Sequence, residues 1–154
     1  MIDFTNTVIV DRPVDEVYDY LSDLEHVPEW NWAIARTEKV TPGPIGVGTR
    51  YRQTRTVPQP MTEALEVTGL EPSRNIEIEG TLAGMPTRLR YVLEERGHAT
   101  KVTNAVRLAV NGPLQLAAPL LGHRISRAVA SNLQDLKKRL EGGGNRLDWK
   151  GSRS

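Results

Sequence analysis

The hydrophobic positions of the chain first recur at every second residue and then at helical spacing. Ile2, Phe4, Val8 and Val10 share one side of an extended segment, which predicts a β-strand over residues 2–10. Pro13 follows, and its fixed φ suits the first turn of a helix. The amphipathic helix predicted after it carries its apolar stripe at Val14, Val17, Tyr18 and Leu21. A second short helix or turn is predicted over residues 24–32.

Alternation then returns in six segments, which predict six further strands. Turn-forming residues separate these segments, among them Pro58-Gln59-Pro60 and Gly97-His98. Links this short join antiparallel neighbours, because a parallel crossover needs about a dozen residues or more. The six predicted strands are 33–41, 49–57, 61–70, 75–81, 87–96 and 100–110.

The last predicted element is one long helix, which begins after Asn111-Gly112-Pro113 and ends near Glu141. Pro119 is expected to kink this helix or to separate its first turn. Gly142-Gly143-Gly144 should end it, so residues 1–141 are predicted to form one α+β domain. Residues 142–154, with Trp149, are predicted to be a flexible tail. The apolar side chains at helical spacing are Leu114, Leu121, Ile125, Ala128, Val129, Leu133, Leu136 and Leu140.

Composition and charge exclude several classes of function. The 154 residues suit a single domain, and 20 Lys plus Arg nearly balance 19 Asp plus Glu, so no net field favours nucleic acid. The chain has no cysteine, which excludes disulfides and thiolate chemistry. The N-terminus does not resemble a signal peptide, and the longest apolar stretch, residues 114–121, is too short to cross a bilayer. We therefore expect a cytoplasmic protein without an integral membrane segment.

Three segments carry a resemblance to a known family: PVDEVYDYLSD at 13–23, PEWN at 28–31 and GVGT at 46–49. With the closing helix, they make residues 2 to about 141 similar to the START-like (Bet v 1-like) superfamily. The match is to its polyketide cyclase/dehydrase-like (SRPBCC) bacterial group. The resemblance implies a helix-grip fold, in which a seven-stranded curved antiparallel sheet wraps around the C-terminal helix and encloses an internal cavity. It also implies a container for lipids, sterols or polyketides, or a partner of other proteins.

Strand alternation predicts which side chains point into that cavity. Several of them are polar, and burying a polar group without a partner costs about 1–3 kcal/mol, so a hollow with water or ligand explains them better than a solid core. Trp30 is predicted either to gate the cavity or to pin the second helix, and we favour packing. The predicted ligand-binding residues are Tyr51, Gln53, Leu65, Ile78, Asn104, Val106, Trp30, Leu121 and Ile125.

Arg55 and Glu63 are the most specific candidates for chemistry. They lie symmetrically about Gln59, so we expect them to be near cross-strand neighbours. One interpretation makes Arg55 a carboxylate or oxyanion holder and Glu63 a general acid or base, with Tyr91 orienting the substrate ring. The other is an ion pair at the edge of the sheet, which contributes about 0–1 kcal/mol if exposed. We favour the second.

No metal site or cofactor is expected. His26, His98 and His123 fall on separate predicted elements and lack metal-ligand spacing. The arginines on the outer face of the sheet alternate with glutamates, which favours cross-strand pairing over nucleic-acid binding.

Three functions remain open, in order of preference. The first is binding or transport of a hydrophobic small molecule, such as a lipid, quinone or polyketide. The second is a polyketide cyclase, dehydratase or aromatase that uses Arg55, Glu63 and Tyr91. The third is a protein-interaction module, toxin-like or chaperone-like, that uses the outer face of the sheet. The sequence does not distinguish a monomer from a homodimer.

Overall fold

The computed structural model describes residues 1–143 and contains one seven-stranded antiparallel sheet. Across the sheet the strands follow the order β1-β7-β6-β5-β4-β3-β2, so β2 to β7 form a meander and β1 pairs with β7. The prediction of a curved antiparallel sheet with a long C-terminal helix is confirmed. The strands are β1 Ile2–Val10, β2 Ile34–Lys39, β3 Arg50–Arg55, β4 Met61–Glu71, β5 Asn75–Leu82, β6 Met85–Arg96 and β7 Ala99–Leu108.

Two α-helices and two short 3-10 helices complete the fold. Helix α1 spans Val14–Ser22 and begins directly after Pro13, which occupies the N-cap position and not the first turn, and a 3-10 helix follows at Leu24–Glu29. The C-terminal segment is divided into a 3-10 helix, Gly112–Ala117, and helix α2, Ala118–Gly143. Pro119 stands in the first turn of α2, where it needs no hydrogen-bond donor, so its predicted separation of the first turn is confirmed.

The apolar stripe predicted for the last helix is partly wrong. Leu114 lies in the 3-10 helix and is exposed, and Ala128 is exposed on α2. Helix α2 also continues beyond Glu141 to Gly143, where the tail was expected to have begun. Residues 144–154, which include the rest of the predicted tail and Trp149, lie outside the described residues.

The two ends of the sheet are closed by different elements. Helix α1 and the 3-10 helix 24–29 cover one end, which we call the packed end, and Asp15 of α1 accepts a hydrogen bond from Ser73 in the β4–β5 turn there. At the other end, which we call the open end, β3 passes into β4, β5 into β6, and β7 into the 3-10 helix 112–117. The connecting segments of the open end are residues 56–60, 83–84 and 109–120, and the starts of β1 and β2 lie at the same end.

The apolar core has two parts that follow this division. The larger part lies towards the packed end and holds tightly buried side chains such as Val17, Leu93, Leu133 and Leu136. The smaller part, at the open end, is built on Ile2, Val106, Leu108 and Val110. Apolar side chains that pack against this smaller part keep some exposed surface: Phe4, Leu82, Met85, Leu89, Ala118, Leu121 and Ile125.

Helix α2 runs alongside the edge strand β1 in the same direction. A Cβ on Gly122 would lie 3.1 Å from Ile2 Cγ2, so the glycine permits this close approach. Further along, Asn6 Nδ2 donates to the backbone oxygen of Ser126 at 3.1 Å, and Lys137 Nζ donates to the Ile9 carbonyl at 2.6 Å. The helix is thus held to β1 along its length.

Cross-strand ion pairs cover the outer face of the sheet, as the sequence predicts. Each pair joins an arginine Nε to a carboxylate oxygen: Arg50 to Glu66 Oε1 at 3.4 Å, Arg88 to Glu79 Oε2 at 3.6 Å, and Arg107 to Asp3 Oδ2 at 3.3 Å. These pairs are well exposed, so each contributes at most about 1 kcal/mol to stability. Among residues 1–143, no helix is both long and apolar enough to span a membrane.

Candidate functional site

The most buried charged group of the sheet is Glu63 on β4, which points towards the concave face. Its side chain is 1% exposed and that of Arg55 is 10% exposed. Glu63 Oε1 accepts a hydrogen bond from Gln53 Nε2 at 2.8 Å. Glu63 Oε2 accepts from Arg55 Nε at 2.9 Å and from the backbone N–H of Ala83 at 2.6 Å. Three donors therefore hold this carboxylate, as a buried charge requires.

The register that forms this cluster differs from the predicted one. Gln53 lies opposite Glu63, and Arg55 lies opposite Met61, so the pairing is centred on Pro58 and not on Gln59. The two-residue offset leaves both side chains on the inner face, because side chains alternate with period two. Arg55 reaches Glu63 diagonally. Arg55 and Glu63 do form the ion pair that we favour, but both side chains are buried, so exposure of the pair is excluded.

Arg55 also carries a donor that is directed to no described protein acceptor. Its Nε is used by Glu63, and its Nη1 donates to the Val57 carbonyl at 3.3 Å. Within residues 1–143 no hydrogen bond uses Nη2. The guanidinium is therefore fixed in place by two protein contacts and keeps one polar edge for another partner.

Ala83 belongs to this cluster, and sequence reasoning missed it. Leu82 pairs with Met85, so Ala83 and Gly84 form a two-residue hairpin turn, and both have positive φ, 51° and 83°. Such turns favour Gly or Asn, and an alanine there is uncommon. The contribution of Ala83 is a backbone N–H, which no side-chain pattern reveals. The one sequence signal for this turn is the pair Ala83-Gly84, which lies between two segments of alternating apolar and polar residues.

Tyr91 is not part of the Arg55–Glu63 cluster. It lies opposite Ile76 and Asn104, whereas the register of β4 and β5 places Glu63 level with Leu82. Six residues of strand separate those two levels, which corresponds to about 20 Å. Tyr91 is buried in the core of the packed end, and this burial raises the pKa of its hydroxyl. The structure thus brings together Arg55 and Glu63 but not Tyr91.

The other predicted ligand-binding residues divide between the two parts of the core. Trp30, Tyr51, Leu65 and Ile78 are buried in the larger part, and Trp30 therefore packs as favoured. Asn104 is buried beside them on β7, where its Nδ2 donates to the Arg90 carbonyl at 3.4 Å. Val106, Leu121 and Ile125 belong to the open end, and Gln53 belongs to the Arg55–Glu63 cluster.

Three buried polar atoms have no hydrogen-bond partner among the described residues: Thr37 Oγ1, Tyr51 Oη and Asn132 Oδ1. Burial, with a smaller effect of the Asp23 carboxylate, raises the pKa of Tyr51 to about 12. The backbone of Leu24 opposes that rise, although its geometry falls short of a hydrogen bond. The Tyr51 hydroxyl therefore faces the 3-10 helix 24–29 and not the open end.

Depressions on the surface differ in their chemistry. One of about 430 Å³ lies between β1 and the start of α2 and is lined by Phe4, Ala118, Gly122 and His123 among others. A larger one, of about 680 Å³, lies on the outer face between Arg50, Glu66 and Glu79, side chains that already pair with neighbours. The first depression adjoins the incompletely buried apolar side chains of the open end, so it is the better candidate for an entrance to the space between the sheet and α2.

His26 serves a structural cluster at the packed end. Its ring stacks on Tyr20 with centroids 4.3 Å apart, and its Nδ1 lies 3.5 Å from Glu29 Oε1. The same oxygen accepts a hydrogen bond from the Tyr20 hydroxyl at 2.6 Å and faces Arg139 of α2 at 3.5 Å. Burial, followed by this hydrogen bond, raises the pKa of Tyr20. In the described part of the chain, no three His, Asp or Glu side chains are grouped to hold a metal ion.

Comparison with known proteins identifies one family. The model of the family described as "Polyketide cyclase / dehydrase and lipid transport" matches residues 1–141. No curated protein matches the chain.

Solved structures with the same fold are numerous, and all those compared below are distant in sequence. The protein TTHA0849 from Thermus thermophilus is 18% identical with a TM-score of 0.74, and the match covers 92% of this chain and 98% of that one. The Zhui aromatase/cyclase from Streptomyces sp. R1128 is 16% identical with a TM-score of 0.73 and 94% coverage of both chains. A START superfamily protein from Mycobacterium smegmatis is 16% identical with a TM-score of 0.68, covering 90% and 98%. These similarities establish the fold.

Proposed function

Because the chain belongs to the polyketide cyclase/dehydrase and lipid transport family, we propose that it binds an apolar small molecule carrying one hydrogen-bond acceptor, and does not convert it. The observation that carries the proposal is the buried Arg55–Glu63 pair on the concave face at the open end, with Arg55 Nη2 unused by described acceptors. A carbonyl or carboxylate oxygen is the partner that a guanidinium N–H binds best.

The apolar part of such a ligand would lie between the sheet and α2. Leu82, Met85 and Leu89 from the sheet, and Leu121 and Ile125 from the helix, keep exposed surface although they border the core. Covering apolar surface contributes about 25 cal/mol per Å², so a ligand inserted here gains affinity from both layers. This arrangement of many apolar side chains and few polar groups is typical of small-molecule sites.

The geometry favours binding over catalysis. A general base must be able to reach the proton that it removes, and Glu63 is 1% exposed with three donors already on its carboxylate. Tyr91, the predicted ring-orienting group, lies about 20 Å away along the strands. The cyclase, dehydratase or aromatase function is therefore the second candidate, supported by the family name and the buried pair alone.

A binding titration with a fluorescent long-chain fatty acid tests the proposal. The variant is Arg55→Met combined with Glu63→Gln, which removes the guanidinium without leaving a buried lone charge. We expect it to bind the acid about tenfold or more weakly, because a charge-assisted hydrogen bond contributes about 1.5–3 kcal/mol. Affinity for the corresponding alcohol should change much less.

The matched control is Arg52→Met, which removes an arginine from the outer face of the same strand. Absence of saturable binding by the natural chain, or equal weakening by Arg52→Met, would contradict the proposal. Turnover of a polyketide-like ketone that Glu63→Gln abolishes would favour the enzyme instead.

A further inference from the structure

Apart from the buried Arg55–Glu63 pair, the open end of the molecule has no charged side chain in its connecting segments. Its three segments and the residues that flank them, 56–62, 80–87 and 108–122, contain no Asp, Glu, Lys or Arg, although these make up 25% of the chain. At the packed end two of the three strand connections are charged, with Glu71 and Arg74 in one and Glu95 and Arg96 in another, whereas the β2–β3 loop, residues 40–49, is not. The open end is therefore the end at which none of the connecting segments is charged.

Large apolar side chains project from this uncharged surface. Leu116 is 91% exposed, Leu120 is 59% exposed and Leu114 is 49% exposed, and the three follow one another on the 3-10 helix 112–117 and the first turn of α2. Val57 in the β3–β4 loop is also exposed. Single exposed leucines are ordinary, but three exposed leucines within seven residues indicate a surface that another phase or molecule covers.

Basic side chains border the leucines. His123, Arg124 and Arg127 are exposed on the next turns of α2. From Leu108 to Gln134 the sequence has two arginines, Arg124 and Arg127, and no Asp or Glu. Asp3 of the neighbouring β1 lies near this surface, but it is paired with Arg107. The border therefore attracts anions, whereas the chain as a whole has a net charge of only +1.

We infer that Leu114, Leu116 and Leu120, bordered by Arg124 and Arg127, dock the open end onto a lipid bilayer that contains anionic lipids. The three leucines enter the interface between the headgroups and the acyl chains of the lipids, and the two arginines contact the lipid phosphates. The leucines lie on the same segment as Leu121, which borders the proposed ligand site. An apolar ligand would thus pass between bilayer and protein without crossing water. This last point depends on the proposed function, but docking itself can be measured without a ligand.

Sedimentation with vesicles is the first test. We expect the full chain to bind vesicles of phosphatidylcholine with a quarter phosphatidylglycerol, and to bind pure phosphatidylcholine much more weakly. Leu116→Ser with Leu120→Ser should weaken binding about tenfold or more, since each loses apolar surface from the interface. Arg124→Gln with Arg127→Gln should weaken it about 30-fold at low salt and hardly at all in 1 M salt, where charges are screened.

Matched control variants lie elsewhere on the molecule. Val40→Ser with Val47→Ser removes two exposed apolar side chains from the β2–β3 loop, and Arg50→Gln with Arg52→Gln removes two outer-face arginines. Both should bind vesicles like the unmodified chain. Weakening by the controls to the same extent would overturn the proposal.

A direct probe separates docking from a change in folding. In Leu116→Trp, addition of the anionic vesicles should shift tryptophan emission to shorter wavelength, and brominated lipid should quench it. The same readouts on Val47→Trp should show no added shift or quenching. Absence of both changes at position 116 would overturn the proposal. So would concentration-dependent dimerisation that Leu116→Ser with Leu120→Ser abolishes without any vesicle binding, since a second copy would then cover the leucines.

The two proposals fail separately. If fatty-acid binding is absent but vesicle binding depends on Leu116 and Leu120, only the proposed ligand is wrong. If the fatty acid binds but vesicles do not, only the docking surface is wrong.

Discussion

At the packed end of the sheet, side chains from α1, the 3-10 helix 24–29, α2 and the strands interlock in one buried cluster. At the open end, several apolar side chains of both layers stay partly exposed around a smaller buried group. The strands have the same alternating pattern at both ends. What differs is the second layer: α1 and the 3-10 helix close one end, and only the start of α2 lies over the other. A common sheet can thus have a solid core at one end and incompletely buried apolar side chains at the other, depending on what covers it.

The largest expected effect is on the free energy of unfolding when the Arg55–Glu63 cluster at the open end is broken. Glu63→Ala leaves Arg55 buried without its carboxylate, and we expect a loss of about 3–5 kcal/mol in the free energy of unfolding. Urea denaturation measures it. The control Glu66→Ala breaks the exposed pair with Arg50 and should cost at most about 1 kcal/mol. Equal losses in the two variants would contradict the claim that the buried Arg55–Glu63 pair contributes more to stability than an exposed pair.

Two leucines on α2 compare the ends directly. Leu136 is fully buried at the packed end, and Leu136→Ala should cost about 3 kcal/mol, because a cavity remains among fixed neighbours. Leu121 at the open end is only partly buried, so Leu121→Ala should cost about 1 kcal/mol. Chemical denaturation of both variants measures these losses. A larger loss in the free energy of unfolding for Leu121→Ala than for Leu136→Ala would contradict the comparison.

Gly80 and Gly122, both towards the open end, lie close to atoms of neighbouring elements. A Cβ on Gly80 would lie 2.3 Å from the Ala64 carbonyl oxygen on the neighbouring strand, so Gly80→Ala should cost about 1–3 kcal/mol. A Cβ on Gly122 would meet only the Ile2 side chain, which can move, and alanine favours the helix. Gly122→Ala should therefore be close to neutral in thermal unfolding. A larger loss at Gly122 would mean that the helix cannot shift from β1.

The smallest effect concerns pH at the packed end. Partial burial would raise the pKa of Glu141, but hydrogen bonds from Lys137 and from the Asp11 backbone N–H prevail and lower it from 4.5. A lowered folded-state pKa stabilises the protein above the unfolded value, and this contribution is lost as pH falls through the folded pKa. The stability difference between the natural chain and Glu141→Gln should thus be full near neutral pH and shrink below about 4.5. Denaturation across that range checks the sign, and a difference that grows on acidification would contradict it.

The sequence predicted the order of elements well, because local signals determine it. Pro13 marks the start of α1, Pro119 divides the C-terminal segment, and the turn residues separate the strands. Alternation also placed Arg55 and Glu63 on the inner face, since it determines the side on which a residue lies. It does not determine the offset between strands, so the hairpin centre was assigned to Gln59 in place of Pro58.

The site was less predictable, since its contacts come from distant parts of the chain. Ala83 contributes a backbone N–H from a turn 20 residues away from Glu63. Tyr91 has the right parity for the inner face but lies at the wrong level along the strands, a property that only the full set of registers reveals. The exposure of Leu114 depends on the 3-10 geometry that precedes α2, which helical spacing alone does not distinguish from a continuous helix.

The pairing of β1 with β7 has a consequence for synthesis on the ribosome. Asp3 meets Arg107, 104 residues later, so the first strand to emerge waits for the last one before it gains a partner. Such distant contacts slow folding, because a long loop must close before they form. Until then the nascent chain presents an unpaired strand to its surroundings, and chains with unpaired strands are prone to aggregation.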